Sequence, residues 1–335
     1  LLIMNPDGVR QMLLDNFAGV RVDGSNATII GSKQGEFVAD RNHITRVWMD
    51  HGVWPMITTK FYIDQTGDLE LLEKEAAYFK DKQIARGTRT DTLWDESYGC
   101  WQKTKRGVRE EGTILEHLLL QNLTAFYEVG EHNNIRLRGA DWNDALNITT
   151  DPEAESVMLS HQFCLAFREL KLLMEKIGET DYAEFLKKEY DTMRKTINEK
   201  AWDGEWYMRA LSKKENIGSR TSEGSKIYLN AQTWAVLGDV ADEEKLPKLL
   251  AAVDNMEHDF GFPLNMPPYE KYSPNVGRMS GMLPGLFENG GVYCHATGFK
   301  ILMDCKLGRA EKALCTLKKI MPDSEKNPST QSGAE

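Results

Sequence analysis

Apolar residues recur at helical spacing along most of the chain. Between 161 and 177, Phe163, Ala166, Phe167, Leu170, Met174 and Ile177 share one predicted face, and between 182 and 197 Tyr182, Phe185, Leu186, Met193 and Ile197 share another. Helix starts are marked as well. Asp151 precedes Pro152, which reads as an N-cap before a first-turn proline, and Asp181 is followed three residues on by Glu184. One punctuation repeats: an apolar helix ends at glycine, polar or acidic residues follow, and a second helix begins. It occurs around Gly67, Gly130, Gly178, Gly238 and Gly308, which by difference of position lie 63, 48, 60 and 70 residues apart. Each interval holds two helices and their loops, so the pattern predicts an all-α chain of stacked αα-hairpins, as an open solenoid or a closed (α/α) barrel. Roughly ten helices are legible, against twelve in a barrel of six hairpins. The longer connections, 18–46, 85–109, 202–226 and 256–291, are rich in Gly, Pro and aromatic residues, and long loops between short-linked helices usually carry function.

Charge and composition narrow the partners. A net charge of −10 over 335 residues speaks against a nucleic-acid or anionic-membrane surface, both of which need a basic footprint. No apolar run reaches the roughly 18 residues of a membrane span, and no signal-peptide pattern is visible. The five cysteines, Cys100, Cys164, Cys294, Cys305 and Cys315, are odd in number and show no CxxC spacing. Free thiols in a reducing cytoplasm are therefore expected, rather than a disulfide framework or a zinc site.

Four segments carry candidate chemistry. Arg138-Gly-Ala-Asp-Trp-Asn-Asp-Ala-Leu-Asn147 sets Asp141 and Asp144 three apart around Trp142 and Asn143. An indole beside two carboxylates can keep one of them protonated, as a general acid requires; the alternative is an Asx-rich turn that caps the next helix. In Glu288-Asn-Gly-Gly-Val-Tyr-Cys-His295, a histidine near a predicted helix N-terminus suits an anion contact, or is simply a structural histidine. Arg46-Val-Trp-Met-Asp50-His51-Gly-Val-Trp54 sets a carboxylate beside two indoles, which fits sugar hydroxyls or an aromatic core face. Trp202-Asp-Gly-Glu-Trp-Tyr-Met-Arg209 reads as a β-turn with packed aromatics, with Tyr207 or Arg209 as possible cleft residues. The acidic stretch Thr90–Glu96 and the pair His43 and His51 lack metal-ligand spacing, and no metal is expected.

At these segments the chain resembles glycoside hydrolase family 94, the cellobiose, chitobiose and cellodextrin phosphorylases. The motifs are ADWNDALN at 140–147, WDGEWYMRAL at 202–211, IYLNAQTWAVL at 227–237 and ENGGVYCHATGF at 288–299, with MDHGVW at 49–54 similar to the family's acidic motif on an early barrel helix. The resemblance runs over nearly the whole chain. It implies an (α/α)6 barrel over 1–323, incomplete at one or both ends, with a polar tail at 324–335. It implies inverting phosphorolysis of a β-linked glucoside to an α-sugar 1-phosphate, with inorganic phosphate as co-substrate and no cofactor. Asp144 would be the general acid and His295 the phosphate ligand. Trp142, Asp141, Asp50, Arg46 and Glu288 would contact the saccharide, Glu288 on the acceptor side, and the full-length protein would be a homodimer. Two family features lie outside these 335 residues: a β-sandwich before the barrel and a late Thr-Gly phosphate motif, for which Thr297-Gly298 does not stand in. The readings left open are an inverting hydrolase on the same barrel, with Glu288 as its second carboxylate, and a non-catalytic sugar-binding fragment.

Overall fold

Asn5 opens the first helix, α1 (Pro6–Phe17), by accepting the Gly8 N–H, with Pro6 in the first turn, where its missing donor costs nothing. The computed structural model describes residues 2–27, 29–30, 37–38, 48–322 and 324. The chain divides into two compact units, one of Leu1–Glu128 with Ala166–Lys187, the other of Val129–Leu165 with Lys188–Glu335.

In the first unit α1 turns Val9, Leu13 and Phe17 inward. The ribbon β1 (Ile29–Ile30) with β2 (Phe37–Val38) precedes α2 (Val53–Thr66), which stops at Gly67 in the left-handed conformation that only glycine takes cheaply. Strands β3 (Glu75–Ala77) and β6 (Glu111–Thr113) pair antiparallel and enclose the smaller ribbon of β4 (Gln83–Ile84) and β5 (Arg89–Thr90). This region is pinned by Arg21, whose guanidinium donates two parallel bonds, 2.9 and 2.8 Å, to the buried carboxylate of Asp81. Helix α3 (Ile114–Phe126) closes the segment.

In the second unit β7 (Glu155–Ser156) leads into α4 (Val157–Ile177). Helix α5 (Thr180–Lys200) follows, and α4 and α5 contribute residues to both units. Strand β8 (Ala210–Leu211) pairs with β7, setting Ser156 opposite Ala210. Strand β9 (Ile227–Tyr228) feeds α6 (Leu229–Leu237), all nine of whose residues are buried. After α7 (Leu246–Asp254), strand β10 (Asn265–Met266) pairs with β9. Helix α8 (Cys294–Lys306) packs against α6 and α9 (Ala310–Ile320).

Helices thus carry most of the regular structure, nine α-helices among the described residues, but the all-α expectation needs an addition. Among those same residues ten short strands pair into five two-stranded antiparallel sheets, many within or beside the loops read as long connections. The glycine punctuation holds at Gly67, Gly178 and Gly308, all with positive φ just after a helix. It fails at Gly130 and holds in part at Gly238. A Cβ on Gly130 would meet Oε1 of Glu155 at 2.0 Å, so this glycine admits a carboxylate and caps no helix. Gly238 does cap α6, its N–H bonded to the Trp234 carbonyl, but with φ −81° and not in the left-handed conformation; a Cβ there would meet the His161 carbonyl at 2.6 Å, and the left-handed residue is Asp239. Asp151 does not cap a helix. It closes a turn before β7, accepting from the Glu153 and Lys213 N–H groups and from Ser212. Along α4 the expected face is inside, with Ile177 half-buried. Along α5 the inner face is Ala183, Leu186, Met193 and Ile197, while Tyr182 and Phe185 stand exposed. Where apolar residues adjoin, as at Phe185-Leu186, periodicity does not say which of two neighbouring stripes turns inward. Of the polar tail only Ser324 falls within the described residues.

Candidate active site

The loop 138–147 has no helix or strand of its own, so its shape rests on side chains. Arg138 enters it with φ 51°. Asp141 is fully buried and accepts from the Asn143 N–H at 3.0 Å, from Ser156 Oγ at 2.6 Å and from Arg209 Nη2 at 2.6 Å. Arg209 is fully buried too; it also donates to Ser156 Oγ and to Asn143 Oδ1, both at 3.0 Å. The pairing of β7 with β8 brings Ser156 and Arg209 side by side beneath the loop. A buried ion pair is tolerable only when hydrogen bonds use up its remaining donors and acceptors, and Ser156 and Asn143 do most of that here.

Glu288 holds the loop from the other side. It is 8% exposed and accepts from Asn143 Nδ2 at 3.1 Å and from the Ala145 N–H at 3.2 Å. Those residues flank Asp144, whose own side chain is exposed. Burial pushes the Glu288 carboxyl up, the bonds from Asn143 and Ala145 oppose this, and the negative charges of Asp144 and Asp141 add to it. Asn147 extends the framework, accepting the Arg278 N–H at 2.9 Å.

The third component is the start of α8. The Trp142 indole N–H donates to His295 Nδ1 at 3.1 Å, and the rings of Trp142, His295 and Phe299 cluster with centroids 4.6 to 6.1 Å apart. An accepting Nδ1 leaves the proton on Nε2, so the imidazole is neutral with an Nε2–H donor. Desolvation agrees, holding the His295 pKa below its ordinary value. Tyr293 stands 6.0 Å from Trp142 between ring centroids, and burial, then the charges of Glu288 and Asp144, raise its pKa.

Asp141, Trp142, Asp144, Glu288 and His295 are therefore assembled in one unit. Asp50 belongs to the other unit. It is buried, accepts the Trp54 indole N–H at 2.8 Å, and lies beside the stacked rings of Trp48 and His51. Arg46 lies outside the described residues. Tyr207 and Arg209 line no cleft: Tyr207 is buried and donates to Asn198, and Arg209 is the buried partner of Asp141. Reading the sequence missed Arg209 as the anchor of the loop, and also Tyr293, although both lie inside quoted motifs. Among the described residues no group of three or more His, Cys, Asp or Glu side chains is arranged to hold a metal ion, and no helix is long and apolar enough to cross a membrane.

The family model described as the glycosyl hydrolase 94 superfamily, catalytic domain, matches residues 100–335. A solabiose phosphorylase of Paenibacillus borealis is 35% identical, the alignment covering 86% of this chain and 34% of that protein. A 3-O-beta-D-glucopyranosyl-beta-D-glucuronide phosphorylase of the same organism is 31% identical, covering 85% and 34%. A cellobionic acid phosphorylase of Neurospora crassa is 26% identical, covering 82% and 32%. The chain thus spans about a third of the length of these relatives. Among solved structures, a rhamnosidase from Klebsiella oxytoca with rhamnose bound superposes with a TM-score of 0.56 at 14% identity, covering 94% of this chain and 45% of that one; at that identity the likeness concerns the fold alone.

Proposed function

The chain belongs to the glycosyl hydrolase 94 superfamily, and from that premise we propose that it carries the catalytic chemistry of an inverting β-glucoside phosphorylase on an (α/α)6 barrel. The observation that carries this reading is the exposed carboxyl of Asp144, set between Asn143 and Ala145, both of which donate to Glu288. Asp144 gives its proton to the glycosidic oxygen as the C1–O bond breaks. A phosphate oxygen attacks C1 from the opposite face and forms the new C1–O bond, so the β-linkage becomes an α-sugar 1-phosphate and the acceptor leaves as an alcohol. Phosphate arrives as an anion, so no second carboxylate is needed to activate it, in contrast to an inverting hydrolase, which needs a base carboxylate about 6.5–9.5 Å from its acid with a water between them. The neutral His295, with Nε2–H as donor, suits one phosphate oxygen. Trp142, beside it, suits the donor sugar. Glu288, sequestered by Asn143 and Ala145, is better suited to fixing the loop than to touching an acceptor or acting as a hydrolytic base. The working protein is proposed to be a cytoplasmic homodimer that uses no cofactor.

The test is product stereochemistry. The full-length protein is incubated with β-linked glucosyl disaccharides and phosphate, and the first product is followed by proton NMR. An α-sugar 1-phosphate is expected; a β-phosphate as first product would contradict inversion.

A further inference from the structure

The turn at 202–207 builds a second feature that the reaction does not use. The bridge between Trp202 and Tyr207 folds back Asp203-Gly-Glu-Trp206. Tyr207 goes into the core, and Trp206 turns to a groove instead. Its indole N–H is shared between the carbonyls of Gly218, at 3.0 Å, and Lys226, at 2.9 Å, so its polar edge is tied down. The groove, of about 460 Å3, lies within the ~300–1,000 Å3 usual for small-molecule sites. One wall is a face of α7 with Lys248, Ala251, Ala252 and Asn255, the two alanines leaving room beside the ring.

The charge of this groove runs against that of the chain. Arg220, Lys226 and Lys248 line it, opposed by Glu205 in the lining and Asp203 next to it, three cations to two anions where the whole chain is at −10. The Lys226 ammonium spends one hydrogen bond on the Arg220 carbonyl and the Lys248 ammonium one on the Gly204 carbonyl, out of three donors each. The Arg220 guanidinium stands 3.6 and 3.7 Å from Asp203 and Glu205, beyond good hydrogen-bonding distance. An aromatic surface ringed by spare cationic donors, one amide and one carboxylate matches a pyranose that carries an anionic group. The ring's C–H face covers the indole, the hydroxyls reach Asn255 and Glu205, and the anion reaches the lysines.

We propose that this groove, with Trp206, Lys226 and Lys248 as its principal contacts, is an accessory binding site for an anionic monosaccharide, separate from the loop that carries Asp144. It takes a sugar phosphate or a uronic acid by the same chemistry. The test reads binding, so it stands or falls apart from phosphorolysis. In the full-length protein bearing His295→Ala and Asp144→Asn, glucose 1-phosphate, glucuronate, glucose and inorganic phosphate are titrated by calorimetry and by tryptophan fluorescence. Saturable binding is expected for glucose 1-phosphate, glucuronate or both, tighter than for glucose or phosphate, and which of the two binds identifies the anion. Lys248→Glu, on the exposed face of α7, should weaken that binding about tenfold or more, and Trp206→Ala should remove the fluorescence response. Placed alone in the otherwise unaltered protein, Lys248→Glu should leave phosphorolysis within about twofold, because the groove takes no part in the reaction. Absence of binding by both anionic sugars, or titrations of Lys248→Glu that superimpose on those of its parent, overturn the proposal.

Discussion

Glu288 accepts the backbone N–H of Ala145 at 3.2 Å, one residue past Asp144, and takes the side-chain amide of Asn143 on the other side. The proposed acid is thus placed by bonds to its neighbours. Glu288→Ala is expected to lower kcat about 100-fold through loss of alignment, with KM changed only a few-fold. Glu288→Gln should fall between, because it keeps an acceptor for Ala145. Steady-state kinetics decide. A rise in KM for the acceptor sugar in the synthetic direction, with kcat unchanged, would place Glu288 at the acceptor.

Arg209 and Asp141 form an ion pair with neither side chain exposed. Removing one partner strands the other charge, so Arg209→Met should cost about 3–5 kcal/mol in urea unfolding. Adding Asp141→Asn to it should recover part of that loss. A double variant whose destabilisation equals the sum of the two single ones would show that the pair is not coupled.

Asp144 and Asp141, three residues apart, should separate cleanly. Asp144→Asn is expected to reduce turnover about 100-fold or more, the usual contribution of a general acid, with stability changed by no more than about 0.5 kcal/mol because the side chain is exposed. Asp141→Asn should mainly reduce stability. Turnover and thermal midpoint, measured on both variants, check this; the reverse pattern would exchange their roles.

Much of this was legible in the sequence, and the exceptions share a cause. The inner face of α4 and the caps at Gly67, Gly178 and Gly308 follow from local spacing and backbone conformation. So does the candidacy of the 138–147 and 288–295 segments, which stand out by composition. Arg209 was not legible as an anchor because its partners, Asp141 and Asn143, lie 68 and 66 residues away. Some of the short sheets are long-range pairings as well: Ser156 meets Ala210, and Glu75 meets Thr113. Gly130 looked like a helix cap because the sequence marks a missing side chain but not what fills its place, here the Glu155 carboxylate.

His161 supplies a pH dependence. It is wholly buried against Tyr207, and burial lowers its pKa to about 3, the Ala231 backbone opposing slightly and the charge of Arg209 assisting. With the folded pKa depressed, the contribution to stability is present above the unfolded value of about 6.5. It is lost below that value as the unfolded chain takes up a proton that the folded chain refuses, at about 1.4 kcal/mol per pH unit. Urea unfolding between pH 7 and 5 should show this slope reduced by about one proton in His161→Gln. Equal slopes would mean that the ring is protonated in the folded state.

Phosphate dependence tests the central claim most directly. The rate at which the full-length protein cleaves a β-glucoside is measured as inorganic phosphate is raised from none to saturation. Phosphorolysis through Asp144 and His295 predicts negligible cleavage without phosphate, a saturable rise with it, and one sugar 1-phosphate formed for each bond broken. Release of free glucose at the same rate in phosphate-free buffer would contradict the account and make the protein a hydrolase.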